Sequence, residues 1–168
     1  MKKANIICID DQREVLATIK KDLDFFSPAF AITDCESAAE ADEVMNDISQ
    51  AGEEVAVIIC DHIMPGENGI DFLTRLNKDQ RFLFTKKFIL TGLANHSDTI
   101  QAINEAEINA YLEKPWEKDE FITIVKKLVT RFIVEAGFDF DDLMPYLDQA
   151  TLDRELKRKK QEESIRNR

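Results

Sequence analysis

The sequence predicts an α/β protein in which strands and helices alternate around a doubly wound parallel sheet. Residues 5–9, 55–60 and 87–90 are short apolar runs without polar alternation, which is typical of strands covered on both faces. Between these runs, apolar residues recur every three or four positions, as they do on helices with one buried side. This alternating order of strand and helix predicts successive βα units.

The first half of the chain contains three of these units. Helical stripes cover residues 15–26, 41–48 and 72–76. A weaker strand at residues 31–35 precedes the second stripe, and Ser37 begins a Ser-x-x-Glu capping box at the start of that helix. These signals place one predicted strand before each of the three helices.

Two further units complete the predicted fold. Asn95 or Ser97 is a candidate cap for a helix over residues 99–106. Residues 110–112 form a short fifth strand, and residues 121–133 carry the widest helical stripe of the chain. We therefore expect five βα units in one domain that spans residues 1–134.

The composition changes after this domain. Residues 135–148 hold five acidic residues and no basic one, whereas residues 153–168 hold seven basic and four acidic residues. A segment of about 34 residues is too short to bury a core of its own. We expect residues 135–168 to form a C-terminal helical tail, or the start of a linker to an output domain outside this sequence. The spacing of the leucines leaves open both a coiled coil and a helix that folds back on the domain.

Length and charge exclude several classes of protein. With 168 residues, the chain has the size of about one domain on the usual range of roughly 100–200 residues. Its net charge of −11 opposes contact with phosphate backbones or anionic lipid, so we expect no direct nucleic-acid partner. The longest apolar run has six residues, far fewer than the roughly 20 that span a membrane, so we expect no membrane association.

The three cysteines indicate reduced thiols and a cytoplasmic location. Cys8, Cys35 and Cys60 are odd in number, and two of them lie in or end runs that predict buried strands. His62 and His96 share no ligand spacing with a cysteine, which argues against a zinc site.

Residues that carry chemistry directly follow four of the predicted strands. They are Asp10 and Asp11 after the first strand, Asp61 after the third, Thr91 after the fourth, and Lys114 with Pro115 after the fifth. Because the carboxyl ends of parallel strands meet at one edge of the sheet, we expect these side chains to converge. A helix cap or turn would explain Asp10 or Asp11 alone, but not the whole set.

The converging carboxylates predict a cation site. Three carboxylates at one place raise each other's pKa unless a cation lies among them. Oxygen ligands without imidazole or thiolate favour Mg²⁺, which is commonly held by one or two carboxylates together with a phosphate. Thr91 and Lys114 supply a hydroxyl and a positive charge that suit phosphoryl oxygens. A carboxylate in such a site is a nucleophile toward phosphorus.

From about residue 3 to residue 134 the sequence resembles the receiver domains of bacterial two-component response regulators. The resemblance rests on Asp10-Asp11, on Asp61-His62-Ile63-Met64-Pro65-Gly66 with Gly69, on Thr91-Gly92, and on Tyr111-Leu112-Glu113-Lys114-Pro115. Each piece alone is weak, but their order and spacing are specific. The resemblance implies a flavodoxin-like sheet with strand order 2-1-3-4-5. It also implies a regulatory phosphoacceptor domain rather than an enzyme, one that catalyses only its own phosphorylation and dephosphorylation.

The resemblance assigns the acceptor and the metal ligands. Asp61 would accept a phosphoryl group from a sensor histidine kinase or a histidine phosphotransfer protein. Asp10, Asp11, Asp61 and the backbone carbonyl of Ile63 would hold Mg²⁺.

The resemblance also assigns a switch. Thr91 and Lys114 would bond the phosphoryl group, Thr91 and Tyr111 would move inward together, and the peptide bond before Pro115 would be cis. Output would run through the face formed by the fourth helix, the fifth strand and the fifth helix, toward a partner protein, an output domain or a second copy in a homodimer. For Tyr111, simple packing stays an alternative. Another alternative is that the chain is the N-terminal receiver part of a longer transcription factor, cyclic-nucleotide enzyme or histidine-kinase signalling enzyme.

Two apolar positions predict a long-lived phosphoryl group. Ile63 and Leu93 each lie two residues after a site residue, and an apolar side chain there excludes the water that hydrolysis needs. Alternatively, both side chains turn outward and pack on neighbouring loops. Trp116 is interpreted as a hydrophobic staple for the last helix of the domain.

Overall fold

The computed structural model describes residues 2–92 and 97–168. The strands are β1 (Ala4–Ile9), β2 (Ala31–Cys35), β3 (Glu54–Cys60), β4 (Lys86–Thr91) and β5 (Ala110–Glu113). The α-helices are α1 (Arg13–Asp22), α2 (Ala38–Gln50), α3 (Gly69–Leu76), α4 (Ser97–Glu105), α5 (Lys118–Ala136) and α6 (Gln149–Arg166). Short 3₁₀ turns lie at Leu23–Phe26, Gln80–Phe82 and Asp141–Tyr146. Among these described residues, no helix is both long and apolar enough to cross a membrane.

The five strands form one parallel sheet in the order β2-β1-β3-β4-β5, which confirms the predicted fold class and strand order. The two central strands, β1 and β3, are buried along almost their whole length. In the register of the sheet, Ile9 at the end of β1 pairs with both Cys35 and Cys60. The residues that follow β1 and β3 therefore leave the sheet side by side.

Local capping explains where several helices begin and end. Ser37 accepts a hydrogen bond at 3.1 Å from the backbone N–H of Glu40, as the capping box predicts. The helix α5 continues two residues beyond the predicted end near residue 134, because Gly137 adopts a left-handed conformation that closes it. The first predicted helix ends earlier than its apolar stripe, since residues Leu23–Phe26 tighten into a 3₁₀ turn that still buries Phe26.

Two apolar layers cover the two faces of the sheet. One layer contains side chains from α1 and α5, including Leu16, Phe121 and Phe132. The other contains side chains from α2, α3 and α4, including Met45 and Phe72. The carboxyl ends of the strands therefore lie between two packed layers that fix their positions.

The tail after α5 folds back on the first layer. Leu147 and Leu152 are buried in the same cluster as α1 and α5. The ring of Tyr146 lies 6.3 Å from that of Phe30, and the backbone N–H of Asp148 donates to Thr130 Oγ1 at 2.9 Å. Of the two arrangements that the leucines left open, the structure therefore shows the folded-back one, whereas residues 160–168 are exposed.

Charged side chains attach α6 to the base of the sheet. Lys86, at the start of β4, is buried and its Nζ lies 2.6 Å from Glu135 Oε2 on α5. Arg158 of α6 contacts the other oxygen of Glu135 at 3.0 Å and Glu155 at 2.6 Å. Lys159 Nζ donates to the carbonyl of Val134 at 3.1 Å. The basic residues of α6 are therefore partly engaged with α5.

Candidate functional site

Three carboxylates meet at the carboxyl end of the sheet. One carboxylate oxygen from each of Asp10, Asp11 and Asp61 lies within 4.8 Å of the others. The Asp10 side chain is 1% exposed and the Asp61 side chain 12% exposed, whereas Asp11 is open to solvent. The backbone N–H of Asp61 donates to the carbonyl of Ile9 at 2.9 Å, which continues the pairing of β1 and β3 into the site.

Asp10 is buried with a partner on each carboxylate oxygen. Its Oδ1 accepts a hydrogen bond at 2.9 Å from the backbone N–H of Gln12, in the turn that leads into α1. Its Oδ2 accepts one at 2.6 Å from Lys114 Nζ. Both contacts offset the cost of burying a carboxylate, and both fix its orientation.

Lys114 supplies a positive charge between two of the carboxylates. Its Nζ lies 2.6 Å from Asp10 Oδ2 and 3.5 Å from Asp61 Oδ1. The residue follows β5, and its backbone N–H donates to the carbonyl of Thr91 at 3.1 Å. The peptide bond between Lys114 and Pro115 is cis. In this structure the ammonium therefore lies between Asp10 and Asp61, and its shorter contact is to Asp10.

Burial and charge act on Asp61 in opposite directions. Burial is the largest effect and raises the pKa of its carboxyl group, and the neighbouring Asp10 carboxylate raises it further. Lys114 and the backbone N–H of His62, which donates to Asp61 Oδ1 at 2.8 Å, lower the pKa but do not cancel the effect of burial. Asp61 is therefore a more basic carboxylate than an exposed aspartate.

Gly69 lets the start of α3 approach the loop that carries Asp61. A Cβ atom at Gly69 would lie 1.9 Å from the carbonyl oxygen of Asp61 and 2.9 Å from Cys60 Sγ. The backbone N–H of Gly69 donates to the carbonyl of His62 at 2.8 Å. The sequence analysis used Gly69 only as part of a motif, and the one local signal of this close approach is a glycine at a helix start.

The remaining predicted site residues differ in exposure. Thr91 is 1% exposed at the end of β4 and lies on the same edge as the carboxylates. Tyr111 is 45% exposed on β5, so its side chain is not enclosed with them. Ile63 is 57% exposed in the turn after β3, and its carbonyl stays a predicted ligand. Leu93, Asn95 and His96 lie outside the described residues.

The donor set fits Mg²⁺. Two carboxylates are held in place by backbone N–H groups, and the exposed Asp11 leaves the site open to water, which Mg²⁺ usually keeps among its ligands. All of the candidate side-chain ligands are oxygens, as a hard divalent cation requires.

Trp116 makes one contact that the sequence predicted and one that it did not. Its ring centroid lies 5.7 Å from that of Phe121, across the start of α5, as expected of a hydrophobic staple. Its Nε1–H also donates to Asp22 Oδ2 at 2.9 Å. Asp22 is the last residue of α1, 94 positions away, and no sequence pattern marks this pair.

Comparison with known families identifies the class of protein that this fold and site define. The family model of the response regulator receiver domain matches residues 6–126, which is most of the chain. The chain therefore belongs to the response regulator receiver domains of two-component systems, as its motifs predicted.

Known relatives agree with this assignment. The hydrogenase transcriptional regulatory protein HoxA of Cupriavidus necator is 30% identical over 128 residues, which is 76% of this chain and 24% of that protein. HoxA of Bradyrhizobium diazoefficiens is 28% identical over 142 residues, which is 82% of this chain and 27% of the relative. The chain thus spans about a quarter of the length of these two curated relatives.

Solved structures show the same fold. The signal receiver domain of an HD domain-containing protein from Pseudomonas fluorescens Pf-5 has a TM-score of 0.67 at 24% identity, covering 82% of this chain and 94% of that one. A CheY-like receiver domain protein from Methanospirillum hungatei has a TM-score of 0.65 at 21% identity, covering 80% of this chain and 99% of that one.

Proposed function

We propose that this chain is a phosphorylation-dependent signalling switch in which Asp61 accepts a phosphoryl group. The donor is a sensor histidine kinase or a histidine phosphotransfer protein. The observation that carries the proposal is the cluster of Asp10, Asp11 and Asp61, with Lys114 Nζ at 2.6 Å from Asp10 and 3.5 Å from Asp61. A nucleophilic carboxylate beside a fixed ammonium and a set of metal ligands suits phosphoryl transfer.

In the proposed reaction, a carboxylate oxygen of Asp61 attacks phosphorus in the donor phosphohistidine. The new O–P bond forms as the P–N bond breaks, and the imidazole nitrogen of the donor keeps the electron pair of that bond. The product on this chain is an acyl phosphate. Lys114 then pairs with a phosphoryl oxygen, and the Thr91 hydroxyl donates to another.

Mg²⁺ would be held by Asp10, Asp11, Asp61 and the carbonyl of Ile63. When bound, it would neutralise charge on the phosphoryl oxygens as the group is transferred. Asp10 and Lys114 orient each other before the donor arrives, so less reorganisation is needed during the transfer. Catalysis would be limited to this domain's own phosphorylation and dephosphorylation.

The proposed output face consists of α4, β5 and α5. Thr91 ends β4, and β4 pairs with β5 in a register that sets Ile89 against Tyr111. An inward shift of Thr91 would therefore act first on the strand that carries Tyr111, which is largely exposed. We propose that this face contacts a partner protein, an output domain or a second copy of the chain in the cytoplasm, without direct contact to nucleic acid.

One observation favours a second candidate. Because the chain spans 24% and 27% of the two HoxA relatives, it has the extent of a receiver portion within a longer regulator. In that case the switch would act on an output domain joined to α6. The phosphoryl chemistry at Asp61 would be the same.

Acetyl phosphate with Mg²⁺ tests the acceptor. We expect intact mass to rise by one phosphoryl group in the natural chain and to stay unchanged in Asp61→Asn. Asp47→Asn, an exposed aspartate on α2, is the matched control and should react like the natural chain. Asp11→Ala should weaken Mg²⁺ binding by about tenfold or more, from the loss of one charge near a divalent ion. A stable phosphoryl adduct on Asp61→Asn would contradict the assignment.

A further inference from the structure

Two long-range bonds connect α1 to the segment after β5. In the turn that leads into α1, Asp10 accepts from Lys114 Nζ at 2.6 Å. At the last residue of α1, Asp22 accepts from Trp116 Nε1 at 2.9 Å. Lys114 and Trp116 are only two residues apart, while the ten residues of α1 span about 15 Å. The same short segment is therefore held both before the start of α1 and at its last residue.

The Trp116 contact lies in an environment that makes it strong. Asp22 is 9% exposed, and a hydrogen bond to a carboxylate that is largely withdrawn from water is stronger than one between neutral groups. The Trp116 ring lies 5.7 Å from Phe121, and the Phe121 ring lies 5.7 Å from Phe88 on β4. The indole is thus fixed on one side by the core and at its N–H by α1.

The position of Lys114 is sensitive to this segment. Its ammonium lies 2.6 Å from Asp10 and 3.5 Å from Asp61, so a shift of about 1 Å changes which carboxylate it neutralises. A lysine side chain has four rotatable bonds and does not hold such a position unless its backbone is fixed. The backbone of Lys114 is anchored on one side by its bond to the carbonyl of Thr91. Trp116 supplies an anchor on the other side.

We propose that Trp116, through its hydrogen bond to Asp22, is a positioning residue that keeps the Lys114 ammonium between Asp10 and Asp61. This inference rests on the proposed phosphoryl transfer to Asp61. It adds a pair of residues, Trp116 and Asp22, that touch neither the phosphoryl group nor the metal but set the rate of transfer through Lys114.

Substitutions at both ends of the bond separate positioning from simple packing. Trp116→Phe keeps an aromatic ring for Phe121 but removes the N–H. Asp22→Ala removes the acceptor, whereas Asp22→Asn keeps an acceptor oxygen and serves as the conservative control. We expect Trp116→Phe and Asp22→Ala to slow phosphorylation by acetyl phosphate about fivefold or more, and Asp22→Asn to stay within about twofold of the natural chain.

A double substitution distinguishes a positioning role of Trp116 from a purely structural one. In a Lys114→Ala background the positioning of Lys114 no longer matters, so adding Trp116→Phe should change the remaining rate by less than about twofold. Equal slowing by Trp116→Phe with and without Lys114 would overturn the inference, as would an unchanged rate in both Trp116→Phe and Asp22→Ala. Circular dichroism melting of each variant shows whether its fold is intact, and Asp22→Ala tests the inference if Trp116→Phe does not fold.

Fluorescence tests the coupling without phosphoryl chemistry. Trp116 is the single tryptophan of the chain, so the emission spectrum reports on this position alone. We expect Lys114→Ala to shift the emission of the metal-free protein, and Asp47→Ala to leave it unchanged. An emission that is the same with and without Lys114 would contradict the inference. Absence of phosphorylation in the natural chain would instead contradict the proposed function, so the two failures are distinguishable.

Discussion

At the residue scale, the site is governed by the charge of one partly buried carboxylate. Asp61 is 12% exposed, and its charged neighbours include the Lys114 ammonium and the carboxylates of Asp10 and Asp11. Burial raises its pKa above the ordinary value of 3.8, and Lys114 only partly opposes this effect. The folded chain therefore binds a proton at Asp61 more readily than the unfolded chain does, and ionised Asp61 lowers the free energy of unfolding at neutral pH.

We predict that Asp61→Asn raises the melting temperature at pH 7. The amide cannot ionise, so the cost of the buried charge is removed, and a gain of about 2–4 °C corresponds to roughly 1 kcal/mol in a chain of this size. The raised pKa of Asp61 stabilises the folded chain fully below pH 3.8, and this contribution is lost as the pH rises through the pKa of Asp61 in the folded chain. The advantage of Asp61→Asn should therefore shrink as the pH falls toward 3.8. An advantage independent of pH would contradict this explanation.

We predict that Ile63 and Leu93 together control the lifetime of the phosphoryl group. Ile63 is 57% exposed, so a polar side chain at this position could orient an incoming water. Replacing Ile63 with Asn and Leu93 with Glu should speed phosphoryl loss about tenfold or more, roughly 1.4 kcal/mol of barrier. Mass spectrometry after donor removal measures both lifetimes. Identical lifetimes would show that these residues do not control water access.

At the scale of elements, the junction of β3 and α3 depends on one glycine. We predict that Gly69→Ala lowers the free energy of unfolding by roughly 1–3 kcal/mol and slows phosphorylation, because its Cβ would displace the backbone of Asp61. Gly92→Ala is a control for stability, since a Cβ there meets no described atom within 4 Å. Chemical denaturation measures both effects. Equal stability of Gly69→Ala and the natural chain would show that α3 can shift without cost.

The strand predictions were close because buried parallel strands are continuous apolar runs. Each predicted strand lies within one residue of its observed limits, and apart from Ala4 the additions are polar residues such as Glu54, Lys86 and Thr91 at the ends. Helix ends were less predictable. The stripe at residues 15–26 continues through the change from α-helix to 3₁₀ turn. The α-helix buries Leu16 and Ile19, and the 3₁₀ turn buries Leu23 and Phe26, all in the same layer.

At the scale of the whole molecule, the tail is part of the apolar layer formed by α1 and α5. We predict that removing residues 138–168 lowers the free energy of unfolding by about 3 kcal/mol or more, since a buried leucine contributes about 1.5–3 kcal/mol and both Leu147 and Leu152 are lost. Removing only residues 161–168, which are exposed, should change it by less than about 0.5 kcal/mol. Thermal melting compares the two. Equal stability of the full chain and the chain that lacks residues 138–168 would show that the tail docks without contributing to stability.

We predict that activation acts on one side of the molecule. Beryllofluoride, a mimic of the phosphoryl group, should first change amide exchange in α4, β5 and α5, because Thr91 and Tyr111 connect the site to that side. Mass spectrometry of peptides from each element measures this change. Uniform changes, or changes confined to α1, would contradict the proposed output face.

The sequence by itself determined the fold class, the strand order through its family resemblance, and the set of residues that meet at one edge of the sheet. It could do so because strand and helix periods are local and because parallel strands bring their carboxyl ends together wherever they lie in the chain. Only the tertiary structure decided that Lys114 pairs with Asp10, that Trp116 bonds Asp22 and that the tail folds back. These contacts join residues far apart in sequence and depend on how the elements pack against one another, which no local pattern encodes.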